Sequence, residues 1–464
     1  MRRPHALLLP YPAQGHIIPL LELAQSMHIN HGFTVTFINT HFNHARLFST
    51  FPPSQSTATN PSFNFVSIPD GMQPGDDHND IAKLCNALKT FMPLSLEQLI
   101  TKMNNQEHDK PTCFIADQGM GWALDVAKKT GLRSAVFAAS SATTFTSVWN
   151  IPNLIEQGII NERDGSAKRP GQVFRLSPGT PPMNVDNLSW NCFLNSESNK
   201  IIFQYVYANN KAMKNVEYVI FNSFYEAEKE IFDYLNSSNM LHIGPLLSKQ
   251  TSPVPFARCF WAEDKTCKAW LDKQRDDSVI YVAFGSLAML DQIQFEELAL
   301  GLELTGRPFL WVVRPDITGK ISICLPEGFS DRIGDRGKVV EWSPQQEVLP
   351  HPALACFMSH CGWNSTIEGL SNGVPFLCWP YFADQHQNQT YVCDVWKTGL
   401  KVMHDENGLI TKEEIRDKVE QLLGDGEIKK RALALKEIAI KSVEKGGSSF
   451  ENFNTFATAF KHNV

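Results

Sequence analysis

The sequence predicts an α/β protein: two Rossmann-like domains, each a mainly parallel sheet covered by helices on both faces, followed by a helical C-terminal tail. Three observations carry this expectation. Short apolar runs rich in β-branched residues alternate with helix-length stretches almost from end to end, and strands joined by helical crossovers form parallel sheets. The alternation breaks once, at Leu241–Ala257, where three prolines, a glycine and polar residues read as a linker. The chain has 464 residues, of which 43% are hydrophobic and 20% charged, enough apolar material for two sizeable cores.

The first series opens with His5–Pro10 as a strand. Gly15–Asn30 follows with helical spacing at Ile18, Leu21 and Leu23 to Met27. Phe33–Asn39 (FTVTFIN) has the β-branched and aromatic content of a strand. Phe63–Ile68, Thr112–Asp117, Arg133–Ala139 and Val216–Asn222 continue the strands, with helical segments such as Trp122–Lys129 between them. The second series has strands at Ser278–Phe284, Pro308–Arg314, Lys338–Trp342, Cys356–His360 and Pro375–Trp379. Its helices are expected at Asp291–Leu304, Asn364–Asn372 and Gln387–Lys397, and 411–464 reads as helical throughout. The expected division is therefore 1–240, a linker over 241–260, 261–445, and a final helix over 446–464 packing back on the first domain. Ligands of such sheets bind at the carboxyl ends of strands, and a cleft between the domains is the expected place.

Composition excludes several classes. Lys plus Arg is 42 against 49 Asp plus Glu, a net charge of −7. Without a basic patch, nucleic acid and anionic membrane are poor partners. The ten cysteines are dispersed with no C-x-x-C pair, so zinc is not expected and reduced, buried thiols are. The apolar run Ala6–Leu9 is broken by Pro10 and Pro12 and is too short for a signal segment or a membrane span. A cytoplasmic monomer with no integral membrane association is expected.

Common nucleotide motifs fit badly. There is no Walker P-loop, no H-E-x-x-H and no Asp-x-Asp. Gly119-Met120-Gly121-Trp122-Ala123-Leu124 holds two glycines of G-x-G-x-x-G but has Leu124 in the third place, a weak case for a nicotinamide cofactor. Asp76–Asp80 (DDHND) reads as a solvated acidic loop.

The turn His360-Cys361-Gly362-Trp363-Asn364-Ser365 joins a strand to a helix. A glycine there lets backbone approach a ligand, and the helix start offers N–H groups and a positive dipole end to phosphate. Asn364, Ser365 and His360 would add side-chain donors, Glu368 one turn on would accept from a ribose, and Trp342, read as ending a strand, offers a flat face for a base. An ordinary capped helix with a core tryptophan accounts for these residues equally well.

The whole stretch 342–385 carries more. It contains W-x-P-Q, H-C-G-W-N-S, E-G-x-x-x-G-V-P and a closing D-Q, and it resembles the C-terminal signature box of plant family-1 UDP-sugar glycosyltransferases. PYPAQGHIIPLLELA at 10–24, YVAFGS at 281–286 and KGGSSFENF at 445–453 resemble other motifs of that family, and the overall sequence is similar to its 83A-type subgroup. The resemblance implies the GT-B fold, two Rossmann-like domains facing across a cleft. It implies that Trp342 stacks on uracil, Ser343 pairs with the base edge through its backbone, and Gln345 and Glu368 hold the ribose. His360, Asn364, Ser365 and Ser286 would hold the diphosphate, with Gly362 allowing close approach. Trp363, Asp384 and Gln385 would hold the sugar. No metal and no other cofactor is implied; a UDP-sugar donor and a small-molecule acceptor are the partners.

His16 follows Gly15 at the end of the first strand, and a neutral imidazole suits removal of a proton from a phenol or alcohol. By itself, a histidine at a helix start is an ordinary cap or surface residue. Asp117 ends another strand at the same edge, so the two are placed to meet, and the resemblance puts catalysis on both with Gly15 in the donor site. The expected reaction is inverting transfer of glucose from UDP-glucose, with Gln385 at the last box position going with glucose in the family. Met120, Ser140, Ser141, Phe145, Trp149 and the loop Ser189–Asn195 are candidates for an acceptor pocket suited to a small hydroxylated hydrophobic plant metabolite, and they suit a core helix equally. A non-catalytic UDP-sugar binding protein and a nicotinamide oxidoreductase on Gly119 and Gly121 are the competing readings.

Overall fold

The structure, a computed structural model, describes residues 3–49, 62–106, 110–191, 193, 195–247, 260–315 and 325–461. Its contacts divide the chain into two units. One comprises Met1–Phe260, Phe382–Asp384 and Lys441–Val464, and the other Trp261–Tyr381 and Gln385–Ile440.

The first unit is built on β1 (His5–Leu9), β2 (Thr34–Thr40), β3 (Phe63–Ile68), β4 (Cys113–Asp117) and β5 (Arg133–Ala138). A small antiparallel hairpin, β6 (Val173–Phe174) and β7 (Met183–Asn184), precedes β8 (Tyr218–Phe221) and β9 (Met240–His242). The seven-stranded sheet has the order β3-β2-β1-β4-β5-β8-β9, with every pair parallel. Strands β1 and β4 are buried along their whole length, which is why they read as unbroken apolar runs. Helix Ile81–Asn104 lays Leu84, Leu88, Met92, Leu96 and Ile100 into the core at helical spacing.

The second unit carries β10 (Val279–Ala283), β11 (Phe309–Val312), β12 (Gly337–Val340), β13 (Leu354–Ser359), β14 (Phe376–Cys378) and β15 (Gly399–Lys401). Their order is β12-β11-β10-β13-β14-β15, again all parallel. Helix Gln292–Leu304 is capped by Asp291, whose carboxylate accepts from the Gln294 N–H.

Several boundaries differ from the sequence reading. Strand β9 runs two residues into the segment read as linker, because Met240–His242 pairs with β8; residues 248–259 of that segment lie outside the described residues. Strand β12 stops at Val340, two residues before Trp342, whose carbonyl accepts from the Asp264 N–H instead. The C-terminal stretch is three helices, Lys412–Gly424, Gly426–Val443 and Ser448–Lys461, broken at the extended Asp425 and at Gly446, which has φ +89°. The last helix packs on the first unit's sheet, where Asn452 donates to the His242 carbonyl and Phe456 meets Tyr218 edge-on. Helix Gln385–Thr390 passes into a π-helical turn at Tyr391–Val395. Among the described residues no helix is long and apolar enough to cross a membrane, and the seven described cysteines are free thiols.

Candidate active site

In each sheet the strand order reverses beside the first strand of its series: between β1 and β4 in one, and between β10 and β13 in the other. Open parallel sheets bind ligands at the carboxyl edge of such a reversal. Both candidate clusters stand there.

In the first unit, the chain leaves β1 through Pro10–Ala13 and enters helix Gln14–His31, which puts His16 in its first turn. Asp117 is the last residue of β4. His16 Nδ1 lies 2.9 Å from Asp117 Oδ2, with the imidazole 30% exposed and the carboxylate fully buried. The other carboxylate oxygen accepts from the Gly119 N–H at 2.7 Å, which fixes the Asp117 side chain from both ends. Burial works against a charged imidazole, but the Asp117 charge and hydrogen bond outweigh it, and Asp384 adds to them, so the His16 pKa is raised above its usual value. Tyr11 sits beside the ring, with centroids 5.2 Å apart.

The glycines of the partial dinucleotide motif serve this arrangement. A Cβ on Gly119 would meet Tyr11 at 3.0 Å, and one on Gly121 would meet the Asn209 carbonyl at 2.6 Å. Tyr205 and Asn209, on helix Ser196–Met213, both donate to the Gly119 carbonyl, at 2.7 and 3.0 Å. The turn after Asp117 is thus held by a helix some 90 residues on, a partnership that short-range sequence patterns do not reveal.

The acceptor candidates divide. Ser140 exchanges hydrogen bonds with Gln118, next to Asp117. Ser141 caps helix Ala142–Trp149 by accepting from the Thr144 N–H, while buried Glu228 accepts from the Ala142 and Thr143 N–H groups. Met120 and Phe145 are buried in the hydrophobic core. Trp149 stands apart from Ser141: it ends the eight-residue helix Ala142–Trp149, about 12 Å away along its axis. It lines instead a surface pocket of about 440 Å³ with Lys214, Tyr234 and Met240. Of the loop Ser189–Asn195, residues 192 and 194 lie outside the described residues; Trp190 is buried and Asn195 caps the helix that begins at Ser196.

In the second unit, helix Trp363–Asn372 starts at Gly362 with no side chain capping it, so its first-turn N–H groups face the carboxyl edge of β13. The preceding Cys361 adopts φ +64°, unusual for a residue with a side chain, and its carbonyl is held by the Asn388 amide at 2.9 Å. The His360 ring is cradled between two glycines, since a Cβ on either Gly285 or Gly362 would come within 2.5 Å of its Nε2. Gly362 therefore makes room for the imidazole, a close approach that the sequence reading gives to a ligand. Burial, together with the Arg314 charge, pushes the His360 pKa down to about 4. At neutral pH the ring is uncharged.

A polar network lies beside it. Gln345 donates to Glu368 at 2.6 Å and to Ser365 at 3.0 Å, and accepts from the Tyr281 hydroxyl, which also pairs with Ser343. Gln346 donates to the other Glu368 oxygen. Burial raises the Glu368 pKa against these bonds. Tyr281, the first residue of YVAFGS, has no assigned role in the sequence reading. Trp342 is stacked on Trp261, centroids 4.7 Å apart and planes 19° apart. Trp363 is buried with its indole near Trp396, which leaves its backbone N–H as the group at the helix start. Asn364 is half-buried in the same first turn, and Ser286 follows Gly285 in the loop after β10. The Gln385 amide oxygen accepts from the Tyr381 N–H, and Asp384 follows Ala383, whose φ is +57°. Among the described residues no group of three or more His, Cys, Asp or Glu is arranged to hold a metal ion.

Two Rossmann-like units, each with polar groups gathered at a strand-order reversal, form a GT-B architecture. A solved structure shares it over 99% of both chains, with TM-score 0.80 and 26% identity: UGT2 of Phytolacca americana complexed with UDP-2fluoro-glucose and pterostilbene. The family described as UDP-glucoronosyl and UDP-glucosyl transferase matches residues 200–442. UDP-glycosyltransferase 83A1 of Arabidopsis thaliana is 41% identical over 100% of this chain and 98% of its own length. Linamarin synthase 1 of Manihot esculenta is 36% identical over 98% and 96%. The chain belongs to the plant family-1 UDP-glycosyltransferases and is a glycosyltransferase enzyme.

Proposed function

We propose that this enzyme transfers glucose from UDP-glucose to a hydroxyl of a small hydrophobic plant metabolite, with inversion and without a metal ion. The observation that carries the reading is the 2.9 Å pair of His16 Nδ1 and buried Asp117 at the carboxyl edge of the first sheet. With Nδ1 engaged, Nε2 is the nitrogen that takes the acceptor proton. The acceptor oxygen attacks the anomeric carbon from the face opposite UDP, the bond from that carbon to the UDP oxygen breaks, and an α-linked donor becomes a β-glycoside. The proton rests on His16 as an imidazolium stabilised by Asp117.

The second unit supplies most residues of the donor site. Trp342 stacks the uracil and the Ser343 backbone pairs with its edge. Gln345 and Glu368 hold the ribose, and the diphosphate takes the helix start at Asn364 and Ser365, Ser286 and the His360 N–H. Asp384, Gln385 and the Trp363 backbone take the sugar hydroxyls, with Gln385 acting as donor because its amide oxygen is engaged by Tyr381. The solved relative's UDP-2fluoro-glucose and pterostilbene support a glucose donor and an aromatic acceptor.

The test is kcat/KM for UDP-glucose, UDP-galactose and UDP-glucuronate with one phenolic acceptor. UDP-glucose is expected to exceed UDP-galactose by roughly ten- to a hundredfold, the worth of one lost buried hydrogen bond. A preference for galactose or glucuronate contradicts the reading of Gln385. Tight UDP binding with no UDP release across phenols, terpenoid alcohols and plant hormones would favour a non-catalytic binding protein.

A further inference from the structure

Beneath the phosphate side of the second unit lies a cation that the reading above leaves unused. Arg314 follows β11 and is 2% exposed, a rare placement for a guanidinium. Its Nη1 donates to the Gly285 carbonyl at 2.5 Å and its Nη2 to the Ala288 carbonyl at 2.7 Å. Those two carbonyls bracket the turn that carries Ser286. Gly285 itself adopts φ +67°, and its α-carbon faces His360, so the guanidinium ties down the backbone against which the imidazole rests. On another side Arg314 lies over Trp261, 6.0 Å from the ring centroid, and Trp261 backs Trp342. One side chain thus reaches the base platform, the Ser286 turn and the surroundings of the imidazole.

We propose that Arg314 is the positioning residue of the nucleoside diphosphate site: its fork locks the Gly285–Ala288 turn, its charge over the Trp261 ring favours that ring's place behind Trp342, and the same permanent charge sets a positive potential for the diphosphate. This rests on the donor-site reading of the second unit. Arginine suits the task because a rigid planar fork can bridge two carbonyls while its charge lies over an indole, which an ammonium cannot do with the same fixed geometry. The same charge helps to keep His360 neutral, so the two groups divide the work. The imidazole offers a hydrogen bond, and the guanidinium provides the fixed charge without touching the ligand.

The test is calorimetric UDP binding to the full chain at several salt concentrations, with His360 followed by NMR titration. Arg314→Met is expected to weaken UDP binding at least tenfold, flatten its salt dependence and raise the His360 pKa. Arg314→Lys is expected to keep the salt dependence and recover only part of the affinity. KM for the donor should rise in both while KM for the acceptor holds. If folded Arg314→Met binds UDP like the parent with the same salt slope, the inference is wrong. If Arg314→Met does not fold, Arg314→Lys decides: affinity within twofold of the parent contradicts the locking role. Trp342→Ala and His360→Ala separate the two failures. Should they leave UDP binding intact, the donor-site reading itself fails; should they weaken it while the Arg314 variants do not, only the role of Arg314 falls.

Discussion

A histidine that must take a proton and hold it briefly needs different partners on its two nitrogens. His16 has Asp117 on Nδ1, and the carboxylate is pinned in turn by the Gly119 N–H. The pair raises the His16 pKa against the pull of burial, which sets the sign of the pH dependence. The base is active when neutral, so kcat/KM should climb as pH rises through the raised His16 pKa. Asp117→Asn removes the charge that raises it. The acid limb of the profile should then move to lower pH, while the maximal rate falls on the order of 10²- to 10⁴-fold because the ring loses its orienting acceptor. An unchanged limb and rate would remove Asp117 from the mechanism. Asp117 was legible as the polar end of an apolar strand, and His16, which sits in the first turn of a helix, only through the family resemblance. Tyr205 and Asn209 were not, because their bond to the Gly119 carbonyl joins positions nearly 90 residues apart.

At the scale of elements, the second unit's site is a loop problem. Strands β10 and β13 end side by side, and their following turns bring both Gly285 and Gly362 against the Nε2 edge of one imidazole. The strand–helix alternation showed where those turns fall, since parallel strands are apolar on both faces and stand out from their crossovers. It did not show what the glycines are for. Gly362 has φ −60°, which any residue adopts, so only its close approach to His360 forbids a side chain. Gly362→Ala is therefore expected to displace the imidazole with little backbone strain and to weaken UDP binding by roughly tenfold, the worth of one charge-assisted hydrogen bond. Calorimetry with UDP checks it; parental affinity would mean the ring has no part in binding the nucleotide. The Trp149 candidate belongs to this same scale. An aromatic near Ser141 in sequence is carried to the other end of a helix, a separation that composition cannot show.

At the scale of the whole molecule, the proposed mechanism leaves the acid–base work to the first unit and the nucleotide to the second. In the proposed donor site a helix start and a neutral imidazole meet the diphosphate and a buried guanidinium lies behind them, so activity should survive EDTA. Loss on chelation with recovery in Mg²⁺ or Mn²⁺ would show that these groups do not suffice. The acceptor was the least legible part, because an apolar wall and an apolar core call for the same residues, as Met120 and Phe145 illustrate. The most direct test of the division of labour is one variant read twice: His16→Ala, assayed for UDP binding by calorimetry and for transfer from UDP-glucose to a phenol. UDP affinity is expected to stay close to the parent while turnover falls by at least about 10²-fold. Near-parental turnover with an unactivated alcohol, or loss of UDP binding in step with activity, would contradict it.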